Sequence, residues 1–470
     1  MSDAPLWTFD DLVRAAGGRA ERATGAPILG FSIDTRTLRP GEAFVALKDQ
    51  RDGHEFVGSA FKAGAAAALV SEGYEAQPED GPLIRVADTL AALEAIGRAA
   101  RARLAPEARV VAVTGSAGKT GTKDMARAAL SRVGATHGAD KSFNNHWGVP
   151  LTLARMPAAT RYGVFEIGMN HPGEITPLAR LVRPHIAIIT TVEPVHLAQF
   201  PSVEAIAAAK AEIFAGLEPD GIAILNRDNT HFELLRHLAE AAGAHVVSFG
   251  QDARADVRPK VLELSSEGTV IELSLAGRNV HFRVAVPGIH IARNALAVAA
   301  AVAAAGADPD EALEALASLP PPPGRGTRTV LSVGGGELLL IDESYNANPA
   351  SMRAAFSVLA TVPRSDYPRR IAVLGDMLEL GPEEVALHVG LKEAVDGAGT
   401  DLVFACGPNM GHLFSALAPG RQGAWAPSSA ELAGRLLAVV APGDVVMIKG
   451  SNGSRMGLLA EALRRKLGAA

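Results

Sequence analysis

The sequence predicts an α/β protein of three domains, and three observations carry that reading. Its 470 residues are too many for one ordinary core, since a domain holds roughly 100–200 residues. Short apolar, β-rich runs alternate with alanine-rich helical stretches from end to end, the pattern of parallel strands covered by helices on both faces. Two breaks interrupt the alternation, at Pro106 and at Leu319-Pro-Pro-Pro-Pro-Gly-Arg-Gly. Four consecutive prolines cannot continue a helix and form a stiff connector. The predicted domains are 1–106, 107–319 and 320–470.

The elements follow in order. In the first zone extended pieces are predicted near 30–33, 42–47, 67–70 and 83–86, with alanine-rich helices between them. In the second, strands are predicted at 110–114, 162–166, 186–192 and 222–226, and in the third at 338–341, 370–374, 402–405 and 444–448. No fixed-period repeat and no low-complexity tail interrupt this order.

Composition narrows the function. Hydrophobic residues at 48% against 20% charged exclude a disordered chain. A net charge of -6 excludes a chain-wide basic footprint for nucleic acid or anionic lipid. The single cysteine, Cys406, excludes an intramolecular disulfide and a zinc site of several thiolates; it follows an apolar run and reads as a core residue at a strand end. The first 18 residues lack the basic and apolar regions of a signal peptide. The longest weakly apolar run, 295–307, is too short to span a bilayer. A cytoplasmic protein without membrane insertion is expected.

Chemistry enters at Val113-Thr-Gly-Ser-Ala-Gly-Lys-Thr-Gly-Thr, between a predicted strand and a helix predicted to start near Lys123. Thr114, Gly115, Ser116, Ala117, Gly118, Lys119, Thr120 and Gly121 make up the loop. Gly115 and Gly118 let backbone N–H groups approach phosphate oxygens, and the helix N-terminus adds its positive dipole end. Lys119 can reach the outer phosphates and Thr120 can offer a hydroxyl to Mg²⁺. The general phosphate-loop pattern asks for glycine where Val113 stands, so only the shorter T-G-S-x-G-K-T form is present. A glycine-rich turn without ligand is the alternative, and the Lys-Thr pair in register at a helix start speaks against it.

Three further residues converge on this loop. Glu166 closes the predicted strand 162–166, where a buried carboxylate calls for a cation; an N-cap or a salt-bridged surface glutamate is the alternative. His196 lies just past the strand 186–192, at the strand end where open α/β sheets bind ligands, although a lone histidine is more often structural. On the predicted helix 202–217, Val203, Ile206, Ile213, Phe214 and Leu217 fall within about 60° of Lys210 at 100° per residue. Lys210 thus sits at the centre of an apolar stripe, although a snorkelling lysine at the stripe's edge is the alternative. A buried lysine readily becomes a neutral amine, which can take up CO₂ as a carbamate able to ligate Mg²⁺.

These residues together resemble the Mur ligases, over nearly the whole chain. Ile33-Asp-Thr-Arg-Thr-Leu-Arg-Pro-Gly-Glu-Ala-Phe-Val-Ala-Leu and Asp52-Gly-His-Glu-Phe are similar to the family's UDP-binding segment, with Thr35 where D-S-R is usual. Residues 114–120 resemble the ATP loop, and Asn144-Asn-His-Trp-Gly-Val-Pro the N-N-x-x-G-V-P segment. Gly288-Ile-His-Ile-Ala-Arg-Asn resembles G-x-H-N-x-x-N, with Ile291 for the usual asparagine. Asp342-Glu-Ser-Tyr-Asn-Ala-Asn-Pro resembles D-D-S-Y-N-A-N, with Glu343 for the second aspartate. Leu374-Gly-Asp-Met-Leu-Glu-Leu-Gly and Lys449-Gly-Ser-Asn-Gly-Ser-Arg-Met complete the pattern.

The resemblance implies a small N-terminal UDP-binding domain, a central parallel-sheet ATPase domain and a Rossmann-like C-terminal domain. It implies ATP bound by the loop with Asn294, Arg325 and Asp342. It implies two Mg²⁺ sites held by Thr120, Glu166, His196 and a carbamylated Lys210, the last three acting in catalysis with Lys119. Asp34, Thr35, Arg36, Asn144, Asn145, Tyr345, Asn346 and Asn348 would contact substrates. The expected substrates are UDP-N-acetylmuramoyl-tripeptide and D-alanyl-D-alanine, joined through an acyl phosphate by a monomer that binds no nucleic acid. Family members that add diaminopimelate carry a D-N-P-R string, which is absent here. The alternatives are a ligase adding the third-position amino acid, a folylpolyglutamate synthetase-like ligase, which the UDP-type first domain disfavours, and a non-catalytic nucleotide-binding subunit.

Overall fold

A computed structural model describes residues 5–194, 199–265, 267–275 and 277–468. Four sheets organise them. The first runs in the order Arg19–Glu21, Leu83–Val86, Ala67–Ser71, Glu42–Val45, Gly30–Ser32, parallel except for the antiparallel edge pair. The second is wholly parallel, in the order His245–Phe249, Ile222–Asn226, Ile186–Ile189, Arg109–Thr114, Tyr162–Glu166, Thr136–Gly138. The third is antiparallel: Pro259–Ser265, Gly268–Leu275 and Arg278–Val284. The fourth begins with the antiparallel pair Thr327–Val333 and Gly336–Glu343. It continues in parallel through Asp444–Lys449, Arg369–Gly375, Leu402–Cys406 and Gln422–Ala426.

Burial explains the second sheet. Side chains of Arg109–Thr114 alternate between faces: Val111 and Val113 pack with helices Lys119–Val133 and Ile289–Ala304. Val110 and Ala112 pack on the other side with Ile175–Val182, Val203–Ala211 and Phe232–Ala241. Arg109–Thr114 lies between Tyr162–Glu166 and Ile186–Ile189. The chain changes direction across the sheet there, which opens a crevice at the carboxyl ends of these strands.

Several elements differ from expectation. The helix after the phosphate loop starts at Lys119, four residues early, because Gly118 turns straight into it from the left-handed region (φ 81°). The strand predicted to 192 ends at Ile189. The predicted helix 202–217 divides into Val203–Ala211 and a 3₁₀ segment Glu212–Gly216. At the junction the Glu212 carboxylate accepts the N–H groups of Gly173, Ile175 and Thr176, holding the start of helix Ile175–Val182. The antiparallel sheet spanning 259–284 was not anticipated.

The first sheet is joined firmly to the second. Leu151 and Ala154 of helix Gly148–Ala154 belong to the same apolar core as Trp7, Leu12, Phe31 and Leu93. Trp7 Nε1 donates to the Ala154 carbonyl at 3.2 Å, and Arg103, stacked 3.8 Å over the Trp7 ring, donates to Leu6 and Met156 carbonyls. Among the described residues no helix is long and apolar enough to cross a membrane.

Candidate active site

The phosphate loop sits at the carboxyl end of Arg109–Thr114. Gly115 (φ 145°) has no room for a side chain, since a Cβ there would lie 2.0 Å from Thr190 Oγ1. A Cβ on Gly118 would lie 2.6 Å from Asn294 Nδ2. The loop is held in shape from the neighbouring strand. The Ser116 N–H donates to the Thr191 carbonyl at 2.8 Å, Thr190 Oγ1 donates to Ala117 at 2.5 Å, and Ser116 Oγ accepts the Glu193 N–H at 3.0 Å. The half-buried Lys119 folds back over the loop and donates to the Gly115 carbonyl at 2.7 Å. Burial pushes its pKa below the usual lysine value, Glu166 opposes that shift and Arg325 adds to it.

Glu166 is 3% exposed. Its Oε1 accepts from Asn144 Nδ2 at 2.7 Å, while Oε2 is buried without a hydrogen-bond partner. Thr120 Oγ1 lies 3.1 Å from Ser142 Oγ, and all four residues line one cavity. An unmet buried carboxylate oxygen in the cavity that the Thr120 and Ser142 hydroxyls also line suits a divalent cation. Among the described residues no three His, Cys, Asp or Glu side chains cluster. One carboxylate and one hydroxyl completed by phosphate oxygens and water is the ordinary Mg²⁺ arrangement with nucleotides.

Lys210 is 1% exposed, as the helical stripe predicted, although Ala211 beside it is buried as well. Burial, then the charge of Lys119, drives its pKa well below the usual value, against weaker pulls from Glu212 and Glu174. His196 lies outside the described residues.

The cavity, about 570 Å³, reaches from the phosphate loop across the proline connector to the segment 343–348. Asn294, on helix Ile289–Ala304, lines it against Gly118. Arg325, in the connector, lays its guanidinium 4.0 Å over the Tyr345 ring.

The comparisons with known proteins fall on this frame. Residues 113–302 match the Mur ligase middle domain and 324–452 the Mur ligase, glutamate ligase domain. The chain is 38% identical over 437 residues to the UDP-N-acetylmuramoyl-tripeptide–D-alanyl-D-alanine ligase of Escherichia coli, covering 92% of this chain and 93% of that one. The chain belongs to the Mur ligase family. The ligase of the same name from Bacillus subtilis is 37% identical, covering 81% of this chain and 80% of that one. The structure of MurF from Acinetobacter baumannii superposes with a TM-score of 0.84 at 29% identity, covering 98% of this chain and all of that one.

Within this Mur ligase the remaining expected residues fall at different distances from the cavity. Asn346 and Asn348 line it with Tyr345. Asn348 also caps helix Pro349–Ala360 in a reciprocal pair with Ser351. The Asp342 carboxylate is committed to Ser344 and, at 2.8 Å, to Arg464; its neighbour Glu343 lines the cavity instead. Asn144 lines the cavity and orients Glu166, whereas Asn145 Oδ1 accepts the Gly148 N–H at 2.9 Å at the start of helix Gly148–Ala154. Asp34 and Arg36 form an ion pair at 2.6 Å in the first unit, on the turn that includes Thr35 and away from the cavity. Hydrogen bonds from Arg36 hold the Asp34 carboxyl below its usual range. The motifs that carry the family resemblance include Glu343 and Lys449 without giving either a role; both line the cavity, and they pair with each other. They are 106 residues apart and nothing local links them.

Proposed function

We propose that this Mur ligase joins D-alanyl-D-alanine to UDP-N-acetylmuramoyl-tripeptide with ATP, the activity its relatives are named for. The observation that carries the reading is a cavity lined both by the phosphate loop and, across the proline connector, by Tyr345, Asn346 and Asn348. One oxygen of the tripeptide's C-terminal carboxylate attacks the γ-phosphorus and ADP leaves, giving an acyl phosphate. The dipeptide amine then attacks the acyl carbon, phosphate departs, and the amine gives up a proton as the amide forms.

Loop N–H groups and Lys119 bind the phosphates and offset charge on the transferring group. Asn294 and Arg325 hold the nucleotide, and Asp342 supports that end of the site through Ser344 and Arg464. Thr120 and Glu166 would hold one Mg²⁺, and His196 with a carbamylated Lys210 a second. Bound there, Mg²⁺ supplies positive charge to the phosphoryl oxygens. Burial lowers the pKa of the Lys210 amine and so favours its neutral form, which can add to CO₂ and release a proton. Asp34, Thr35 and Arg36 bind the UDP end, Asn144 and Asn145 shape the approach of the peptide, and Tyr345, Asn346 and Asn348 face the acceptor. Neutral donors and acceptors of this kind suit a dipeptide's amide. The domains divide at 1–106, 107–319 and 320–470, and the third closes over the second at the connector. The enzyme works as a cytoplasmic monomer.

The test is phosphate release from ATP with UDP-N-acetylmuramoyl-tripeptide and each of several amines. D-alanyl-D-alanine should turn over fastest. Faster turnover with diaminopimelate, lysine or glutamate would overturn the acceptor assignment.

A further inference from the structure

Lys449 ends the strand Asp444–Lys449, which lies parallel between Gly336–Glu343 and Arg369–Gly375 in the fourth sheet. Its side chain is 3% exposed, yet it lines the cavity. A lysine is almost never buried this far unless it is paired, and burying its charge is costly where only packing is required.

Its partners all belong to one short segment. The amine donates to the Asn346 carbonyl at 2.9 Å and lies 3.5 Å from both the carbonyl and the carboxylate of Glu343. Two residues along, Ser451 Oγ donates to the Ala347 carbonyl at 3.2 Å and accepts the Leu378 N–H at 2.9 Å. Two consecutive carbonyls are therefore held from one strand end. On the connector side, the Tyr345 N–H donates to the Gly324 carbonyl at 3.0 Å and the Tyr345 ring carries Arg325. The backbone of 343–347 is pinned from behind, while Tyr345, Asn346 and Asn348 line the cavity. Without Lys449, the Asn346 carbonyl loses its donor and Glu343 loses the ammonium that pairs with it.

We propose that Lys449 is a positioning residue for the amine acceptor, fixing the Glu343–Asn346 turn from behind and neutralising Glu343 without touching substrate. The proposal rests on the ligase reading above, because it takes the turn to face the acceptor. Ser451 is the weaker second tether of the same turn.

The experiment is steady-state kinetics on the full chain, varying each substrate in turn, with a thermal melt of every variant. Lys449→Met keeps the length and loses the charge and donors. It should raise KM for D-alanyl-D-alanine by about tenfold or more, the size of a lost hydrogen bond to a charged group. KM for the UDP-linked tripeptide should stay within about twofold of wild type by the same reasoning, since only the acceptor side is disturbed. Lys449→Arg should recover most of the loss. Ser451→Ala should shift the acceptor KM in the same direction by a smaller factor.

An unchanged acceptor KM in a folded Lys449→Met protein overturns the proposal. So do parallel losses for all three substrates, or an arginine variant no better than methionine. If Lys449→Met does not fold, wild-type acceptor KM values in both Lys449→Arg and Ser451→Ala overturn it. If the wild-type enzyme prefers another amine, the acceptor assignment fails by itself, and the same variants are then read with the preferred amine.

Discussion

Replacing Glu166 by glutamine separates what this residue costs the free protein from what it contributes to the reaction. The change removes one negative charge and keeps a carbonyl oxygen for Asn144 Nδ2, now 2.7 Å from Oε1. The other oxygen is buried without a partner. A buried polar group left unmet costs about 1–3 kcal/mol, and more when charged. Part of that cost is offset by Lys119, whose charged form Glu166 favours. The ligand-free variant should therefore be as stable as wild type or more stable by about 1 kcal/mol, which is about 2–4 °C for a unit of this size. With Mg²⁺ and a non-hydrolysable ATP analogue the order should reverse. Saturation at a hundred times Kd adds about 2.7 kcal/mol to a protein that binds, and the variant lacks the metal-dependent share. Turnover should fall by about 10²–10³, as when one preorganised electrostatic partner of a reaction is lost. Calorimetry with and without the nucleotide, beside a phosphate-release assay, reads all three quantities. A ligand-free variant destabilised by more than about 2 kcal/mol would refute the reasoning from the unmet oxygen, and near-normal turnover would remove Glu166 from the metal site.

Three other outcomes are expected. Lys210→Ala should be nearly inactive and partly restored by formate or acetate, which can supply the missing carboxylate; no rescue at any concentration that leaves wild type unharmed argues against the carbamate. Gly118→Ala must hold an L side chain at φ 81°, at a cost of about 1–2 kcal/mol, and push Asn294 aside. Nucleotide affinity by titration calorimetry should fall at least about tenfold, and an unchanged Kd would contradict this. His185 Nδ1 accepts the Val110 N–H at 2.9 Å, and burial, aided by Arg101, lowers its pKa from 6.5 to about 4. Because the folded value is the lower one, the contribution to stability is present above about pH 6.5 and is lost as pH falls through about 4. Burial lowers His137 to about 4 as well, so His185→Gln should shrink, not abolish, the loss of Tm over that window; a wild-type Tm that stays flat across it would refute the argument.

Much of the frame was legible because its signals are local. The phosphate loop combines an apolar strand, the glycines at 115 and 118 and a Lys-Thr pair within the eleven residues 110–120, and the burial of Lys210 follows from one helical angle. The early helix start was hidden because Gly121 reads as a breaker, while the conformation that starts the helix belongs to Gly118. The antiparallel sheet leaves a period-two trace in the sequence: Ile271, Leu273 and Leu275, then Val280, Phe282 and Val284, are buried on alternate positions. The capping role of Asn348 was also readable, from Pro349 at the first helical position and Ser351 two residues on. The bond between Asn144 and Glu166 spans 22 residues, and the pairing of Asp342 with Arg464 spans 122. Neither leaves a local pattern, and both depend on which strands become neighbours.

The seam at Trp7 and Arg103 reduces the number of ways the molecule can articulate. Leu151 and Ala154 complete the core of the first sheet, so that sheet and the phosphate-loop sheet share one packed core. A chain of three loosely strung bodies would have to freeze two joints at once before every reacting group met. If the third domain closes at the prolines as proposed, one joint remains, and assembling the reactive arrangement becomes a search along a single coordinate. The ordering entropy of the second joint has already been spent during folding, at no cost to each catalytic cycle.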